Sequence, residues 1–227
     1  MVEAKKSFRV AIVGATGAVG EELLRVLERR SFPVERLLPL CSGRSAGKRV
    51  SFRGEEIAAE ELSAKSFAGI DLAFFSAGGN ISREYGPVAR KAGAVVIDNS
   101  SVFRMDADVP LVIPEINGED VREHQGLIAN PNCTTAVALM ALYPLHRVFG
   151  VRRVIAASYQ AVSWSGARAI KELRSQVEAA AEGTSPVAEI YPHTASRALV
   201  LLNAVAPGWT DRIVKRFGRK PLGGERR

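Results

Sequence analysis

The stretch Phe8-Arg9-Val10-Ala11-Ile12-Val13-Gly14-Ala15-Thr16-Gly17-Ala18-Val19-Gly20 runs from an apolar segment into three spaced glycines. The apolar segment is short and rich in Val and Ile, the pattern of a buried strand. Glu21-Glu22-Leu23-Leu24-Arg25-Val26-Leu27-Glu28-Arg29-Arg30 follows, and its spacing predicts a helix with Val19, Leu23, Val26 and Leu27 on one face. A glycine loop alone is a weak signal. Between a strand and an amphipathic helix it predicts a dinucleotide site, with a tight structural turn as the alternative. The glycines allow the backbone close to a pyrophosphate, and the helix start offers N–H groups and a positive dipole end. The loop from Gly14 to Gly20 is therefore the candidate cofactor contact.

The second strand, Val34–Cys41, refines the cofactor. A fold that prefers NAD usually places an acidic residue near the end of this strand for the ribose hydroxyls. Here the chain continues Ser42-Gly43-Arg44-Ser45-Ala46-Gly47-Lys48, with no acid. Two hydroxyls and a guanidinium suit a 2′-phosphate, because arginine pairs phosphate oxygens bidentately. Ser42, Arg44 and Ser45 thus point to NADP, against the alternative of an exposed basic loop.

Further βα units follow. Asp71–Phe75 predicts a strand ending in Ser76-Ala77-Gly78-Gly79, residues 81–93 a helix closing at a glycine, and residues 94–101 another strand. The alternation predicts an α/β fold, a Rossmann-type doubly wound parallel sheet with helices on both faces. Ligands in such sheets lie at the carboxyl ends of strands, which places Ser76, Ala77, Gly78, Asn99 to Ser101 and Arg104 near the site.

Composition narrows the class. No apolar run reaches the roughly 20 residues of a membrane-spanning helix. The N-terminus reads as a first strand rather than a signal peptide, so a cytoplasmic location is expected. Two cysteines, Cys41 and Cys133, make a disulfide framework unexpected there. The three histidines lack metal-ligand spacing, so no metal is expected. The net charge is +7, but residues 195–227 hold eight basic and two acidic residues and so carry +6 of it. The body is near neutral and offers no basic surface interleaved with aromatics, which argues against nucleic acid.

Asn130-Pro131-Asn132-Cys133-Thr134-Thr135 leads into a segment of helical pattern. A cysteine at a helix start is either a small packed residue or a nucleophile, since the helix N-terminus favours the reactive thiolate. Beside a nicotinamide, a reactive thiol suggests one chemistry: the thiol adds to an aldehyde, hydride leaves to NADP, and the thioester that remains is resolved by water or phosphate.

Six strings settle on one family. GATGAVG, SGRSAGK, FFSAG, DNSSVFRMDADVPLVIPEIN, NPNCTT and SYQAVS occur in this order, and over residues 8–193 the chain resembles the aspartate-semialdehyde dehydrogenases. The resemblance implies that Cys133 is the acyl-enzyme nucleophile and that Gln160 orients substrate or water beside it. It implies that Arg104 binds the phosphate, that Asn132 flanks the cysteine and holds substrate, that Thr16, Gly17, Ala18 and Val19 with Ser42, Arg44 and Ser45 hold NADP, and that Ser163 lies near the nicotinamide. The implied reaction is NADPH-dependent reduction of L-aspartyl 4-phosphate to L-aspartate 4-semialdehyde, on the route to lysine, methionine and threonine. Homo-oligomers are expected of the family. The N-acetyl-glutamyl-phosphate reductases share architecture and cysteine chemistry and form one alternative; a non-catalytic NADP-binding module forms another.

The chain departs from the family at two places. Ser163-Trp164-Ser165-Gly166 replaces a glycine-rich string, which sets a bulky Trp164 near the cofactor. After Tyr191-Pro192-His193 the resemblance ends, and a C-terminal truncation or frameshift is expected. The expected organisation is an NADP-binding domain at 1–132, a partial catalytic and dimerisation domain at 133–193, and an unmatched basic tail at 194–227. Loss of the family's later segments, with their acid/base histidine and substrate-carboxylate arginine, would leave an exposed apolar face and low or no activity.

Overall fold

The computed structural model describes residues 6–158, 162 and 167–182. The chain divides into two compact units, residues 1–158 and 159–227. Of the second unit, helix α5 (Ala167–Ala181) is described, with Gln176 donating to Glu172 Oε1 at 3.0 Å on its surface.

The first unit is built on six parallel strands. β1 (Phe8–Val13), β2 (Val34–Cys41), β5 (Glu60–Glu61), β6 (Leu72–Phe75), β7 (Val95–Asp98) and β8 (Leu127–Ala129) lie in the order β5-β2-β1-β6-β7-β8. Every pairing in this sheet is parallel. β3 (Arg49–Phe52) and β4 (Glu55–Ala58) form a separate antiparallel hairpin. The sheet is doubly wound, as expected. From β1 the chain first builds outward through β2, then returns to lay β6 on the other side of β1.

Alternation along β1 separates two cores. Val10 and Ile12 pack with Leu24 and Leu27 of helix α1 (Ala18–Arg29) and with Val50 and Phe52 of the hairpin. Ala11 and Val13 point to the opposite face, with Phe67, Phe75, Phe103 and Ala89 of helix α2 (Gly79–Lys91). Because both faces are covered, β1 reads as a continuous apolar run. Pro39, buried in β2, costs no ladder bond on the outer side, because β5 pairs only with Leu40 and Cys41.

One expectation needs correction. Val19 does not lie on the inward face of α1; it is 53% exposed. The inward stripe is Gly20, Leu24 and Leu27, with Leu23 partly buried. Counting apolar side chains misses a stripe that begins on a glycine. The end of α2 follows the sequence reading: Gly93 has φ +96°, its N–H donates to Arg90 O at 3.0 Å, and the N–H of Ala94 donates to Ala89 O at 3.1 Å. These two bonds make the Schellman closure that glycine favours.

Candidate active site

The crevice between the carboxyl ends of β1 and β6 is the point where the winding reverses, and it is the place where such sheets bind dinucleotides. Three glycines shape it. Gly14 has φ +92°, and a Cβ there would meet Ser76 O at 2.7 Å. The turn is therefore left-handed and pressed against the end of β6. Gly17 is the N-cap of α1 and offers no side-chain cap to the first turn. Gly20 packs on the backbone of Gly14 and Ala15 so closely that a Cβ would fall 2.7 Å from Ala15 Cα. Thr16 is half-buried at the loop, and Ala18 and Val19 open α1 in exposed positions.

Ser76, Ala77 and Gly78 form the facing wall. The N–H of Ser76 donates to Val13 O at 2.9 Å, and Gly78, with φ +92°, is the N-cap of α2 with no side-chain cap. Two helices thus start at the ends of adjacent strands, each behind a glycine that leaves its first-turn N–H groups without a capping side chain. A pyrophosphate is the ligand that such a cradle fits. Arg44 and Ser45 lie in a 3-10 turn (Gly43–Ser45) just after β2, Ser42 is its N-cap, and Ser42 and Arg44 are exposed.

The second half of the site is at the carboxyl ends of β7 and β8, where parallel pairing sets Asp98 beside Ala129. The buried Asp98 carboxylate accepts from Ser82 Oγ at 2.5 Å and from Ser100 Oγ at 2.6 Å. Ser100 Oγ in turn accepts from the N–H of Val102 at 3.2 Å. Phe103 is buried against Gly86 of α2, where a Cβ would lie 3.2 Å from its ring. These contacts hold the segment that carries Arg104. Its Nε donates to Asn130 O at 2.8 Å and its Nη2 to Asn99 O at 3.1 Å. The side chains of Asn99 and Asn130 are joined as well, Asn130 Nδ2 donating to Asn99 Oδ1 at 2.7 Å. Arginine has five N–H donors, so two oriented bonds leave others for an anion.

Pro131 is buried, and the chain then enters helix α4 (Cys133–Phe149). Asn132 is its N-cap, with Oδ1 accepting from the N–H of Thr134 at 2.9 Å. That bond commits the amide oxygen of Asn132 and leaves its amide nitrogen as the end suited to a substrate oxygen. Cys133 is the first residue of α4 and is exposed. The packed-residue alternative therefore does not hold for Cys133, and it does hold for Cys41, which is buried. Gln160, Ser163, Trp164 and His193 lie outside the described residues. Residues 151–158, which lead into the YQAV string, form no strand. No metal-binding group occurs among the described residues, nor any helix long and apolar enough to cross a membrane.

Sequence reading missed the Asn99–Asn130 pair. Both residues stand in the motif strings, but only the register of β7 against β8 brings them together.

The two thiols should separate in a labelling experiment. Burial raises the pKa of Cys41, Glu61 raises it further and Lys48 lowers it. A raised thiol pKa means less thiolate near neutrality, so Cys41 is slow both by access and by ionisation. With iodoacetamide at pH 8, one thiol per chain is expected to react quickly, and peptide mapping should place it at Cys133. Cys41 should follow only on unfolding. Equal rates for the two would contradict the burial difference.

A parallel sheet with an uncapped glycine cradle at its reversal point defines a dinucleotide-binding domain, and the helix at its edge presents an exposed cysteine at its first position. Comparison with known proteins agrees. The family model of the semialdehyde dehydrogenase NAD binding domain matches residues 9–124, and that of the semialdehyde dehydrogenase dimerisation domain matches residues 142–205. The chain belongs to the semialdehyde dehydrogenase family.

It is 49% identical to the aspartate-semialdehyde dehydrogenase of Bacillus subtilis, over 82% of this chain and 54% of that protein. The crystal structure of aspartate semialdehyde dehydrogenase II of Vibrio cholerae complexed with ASA is 41% identical, with a TM-score of 0.76, over 83% of this chain and 57% of that one. The aspartate semialdehyde dehydrogenase of Candida albicans with NADP is 25% identical, with a TM-score of 0.54, over 63% of this chain and 48% of that one. The chain spans about half the length of the curated relatives it matches. The dimerisation-domain match runs to residue 205, past the Tyr191-Pro192-His193 string at which the sequence reading ends the resemblance.

Proposed function

We propose that the chain belongs to an NADP-dependent phosphorylating aldehyde dehydrogenase that converts L-aspartyl 4-phosphate to L-aspartate 4-semialdehyde, in the cytoplasm, on the route to lysine, methionine and threonine. The observation that carries this reading is Cys133, exposed at the first turn of α4, on the carboxyl edge of the sheet whose reversal point holds the glycine cradle. The Candida relative, with NADP, supports the choice of cofactor.

The chain's own residues would act as follows. The Cys133 sulfur attacks the acyl carbon, a C–S bond forms, the C–O bond to phosphate breaks, and phosphate leaves. Arg104, oriented by its two bonds to Asn99 O and Asn130 O, offers its remaining N–H donors to that phosphate. The Asn132 amide nitrogen holds a substrate oxygen beside the sulfur. Gly14, Thr16, Gly17, Ala18, Val19, Ser76, Ala77 and Gly78 would hold the dinucleotide pyrophosphate and ribose, with Ser42, Arg44 and Ser45 at the 2′-phosphate. NADPH, when bound, supplies the hydride that takes the thioester to the aldehyde level. Gln160 and Ser163 complete the reading at the substrate and the nicotinamide.

The same reading takes residues 1–132 as the cofactor domain, 133–193 as the partial catalytic and dimerisation domain and 194–227 as a basic tail. It makes the working form a homo-oligomer. Two observations support self-association: the dimerisation-domain match, and α4 itself, which has no buried residue and leaves Val137, Val148 and Phe149 each more than 70% exposed. A helix with apolar residues all round is normally covered on several sides.

The test is phosphate-dependent formation of NADPH by the chain, with aspartate semialdehyde and N-acetylglutamate semialdehyde compared. Preference for the first supports the reading. Preference for the second would move the chain to the N-acetyl-glutamyl-phosphate reductases. NADP binding with no reaction of either would leave a non-catalytic binding module.

A further inference from the structure

The turn after β2 is not bordered by bases alone. β5 lies in parallel against the carboxyl end of β2, with Leu40 opposite Glu60 and Cys41 opposite Glu61. The pairing is held by the N–H of Leu62, which donates to Cys41 O at 2.9 Å. It is reached through the β3–β4 hairpin, whose base is closed by Gly47 donating to Ala59 O and Ala59 donating to Lys48 O, each at 2.8 Å. This route brings an acidic side chain to a place where the linear sequence shows none. A Cβ built on Gly43 would lie 2.6 Å from Glu61 Oε1 and 3.1 Å from Glu61 Cδ. The Glu61 carboxylate therefore rests on the first residue of the turn that carries Arg44 and Ser45. The neighbouring Cys41 thiol feels both charges at this strand end, Glu61 raising its pKa and Lys48 lowering it.

We propose that Glu61 sets the cofactor discrimination of this site, as a carboxylate that accepts the ribose hydroxyls of NAD and opposes the 2′-phosphate of NADP. The inference rests on reading the Ser42–Ser45 turn as the adenosine-ribose end of the NADP site. In dinucleotide folds an acid at the end of the second strand takes the ribose hydroxyls, and an arginine nearby accommodates the 2′-phosphate. This chain holds both: Arg44 follows β2 directly, and Glu61 is delivered across the sheet edge by β5. A phosphate monoester carries close to two negative charges at neutral pH, so a carboxylate at this turn weakens its binding while leaving NAD unopposed. The outcome is a site with a blunted preference for NADP.

The experiment is a titration of the full chain with NADP and with NAD, for the wild type and for Glu61→Gln, at low and at high salt. Glu61→Gln keeps the shape of an exposed side chain and removes its charge. NADP is expected to bind about fivefold tighter in the variant at low salt, with the gain shrinking as salt screens the charge. NAD should bind no tighter, so the NADP-to-NAD preference rises by about fivefold or more. An unchanged preference, or weaker NADP binding, with NADP still bound by the wild type would overturn the role of Glu61 and leave the NADP reading standing. A wild type that binds neither nucleotide would overturn both.

Discussion

Cys133→Ala is expected to abolish whatever phosphate-dependent NADPH formation from aspartate semialdehyde the chain retains, while NADP binding changes by less than about twofold. The split follows from where the parts lie. The thiol opens α4 beyond β8, whereas the glycine cradle sits between β1 and β6 and the ribose turn follows β2. Removing the sulfur leaves an N-cap, Asn132 to Thr134, that does not involve the cysteine side chain. The variant should therefore fold and melt like the wild type. Cys133→Ser tests the same point more finely, because a hydroxyl keeps the size but is a far weaker nucleophile at neutral pH. Activity retained in Cys133→Ala would place the chemistry elsewhere.

Gly20→Ala is expected to cost about 3 kcal/mol of stability, near the upper end for an overpacked core position. A Cβ at Gly20 would run into Gly14 O and the backbone of Ala15, and neither can rotate away as a side-chain end could. For a chain of this size that loss corresponds to roughly 6–12 °C in Tm. NADP binding should fall with it, since the strand-to-helix approach that forms the cradle is what the methyl group separates. Gly17→Ala is the contrast. Its φ of −95° is open to alanine, and a Cβ there would lie 3.4 Å from Gly14 O. Gly17→Ala should keep its Tm within about 2 °C yet weaken NADP, because the methyl group enters the space reserved for the pyrophosphate. Thermal melts with and without NADP read both effects. Equal Tm values for Gly20→Ala and wild type would contradict the close packing of α1 on the loop.

The sheet was legible where local pattern and packing agree. β1, β2, β6 and β7 are apolar because both of their faces are covered, and the glycines after β1 and α2 mark turns that other residues would strain. The phase of α1 was not legible, because Gly20 contributes no apolar side chain to a periodicity count although it occupies the most crowded position. The hairpin and β5 escaped too. Residues 49–61 are mostly charged and polar; β3 buries only Val50 and Phe52, and no residue of β4 or β5 is buried. With β5 unseen, the turn after β2 read as lacking an acid, when Glu61 stands against it.

Within the site, the cysteine, the cradle and Arg104 were readable as motif residues. The Asn99–Asn130 pair and the bond from Arg104 to Asn130 were not, because Asn130 lies 31 residues from Asn99 and 26 from Arg104, and only the β7–β8 register brings them together. Asn132 was readable as a neighbour of the cysteine, but its role as the cap of α4 belongs to the helix geometry. Gln160 and Ser163 rest on the family resemblance alone.

The central claim is that Cys133 accepts the acyl group. Its most direct measurement is the intact mass of the chain after mixing with aspartyl phosphate in the absence of NADPH, followed by peptide mapping. The account predicts one aspartyl group per chain, attached at Cys133, with phosphate released in equal amount. A chain that binds NADP yet gains no adduct at Cys133 would contradict it.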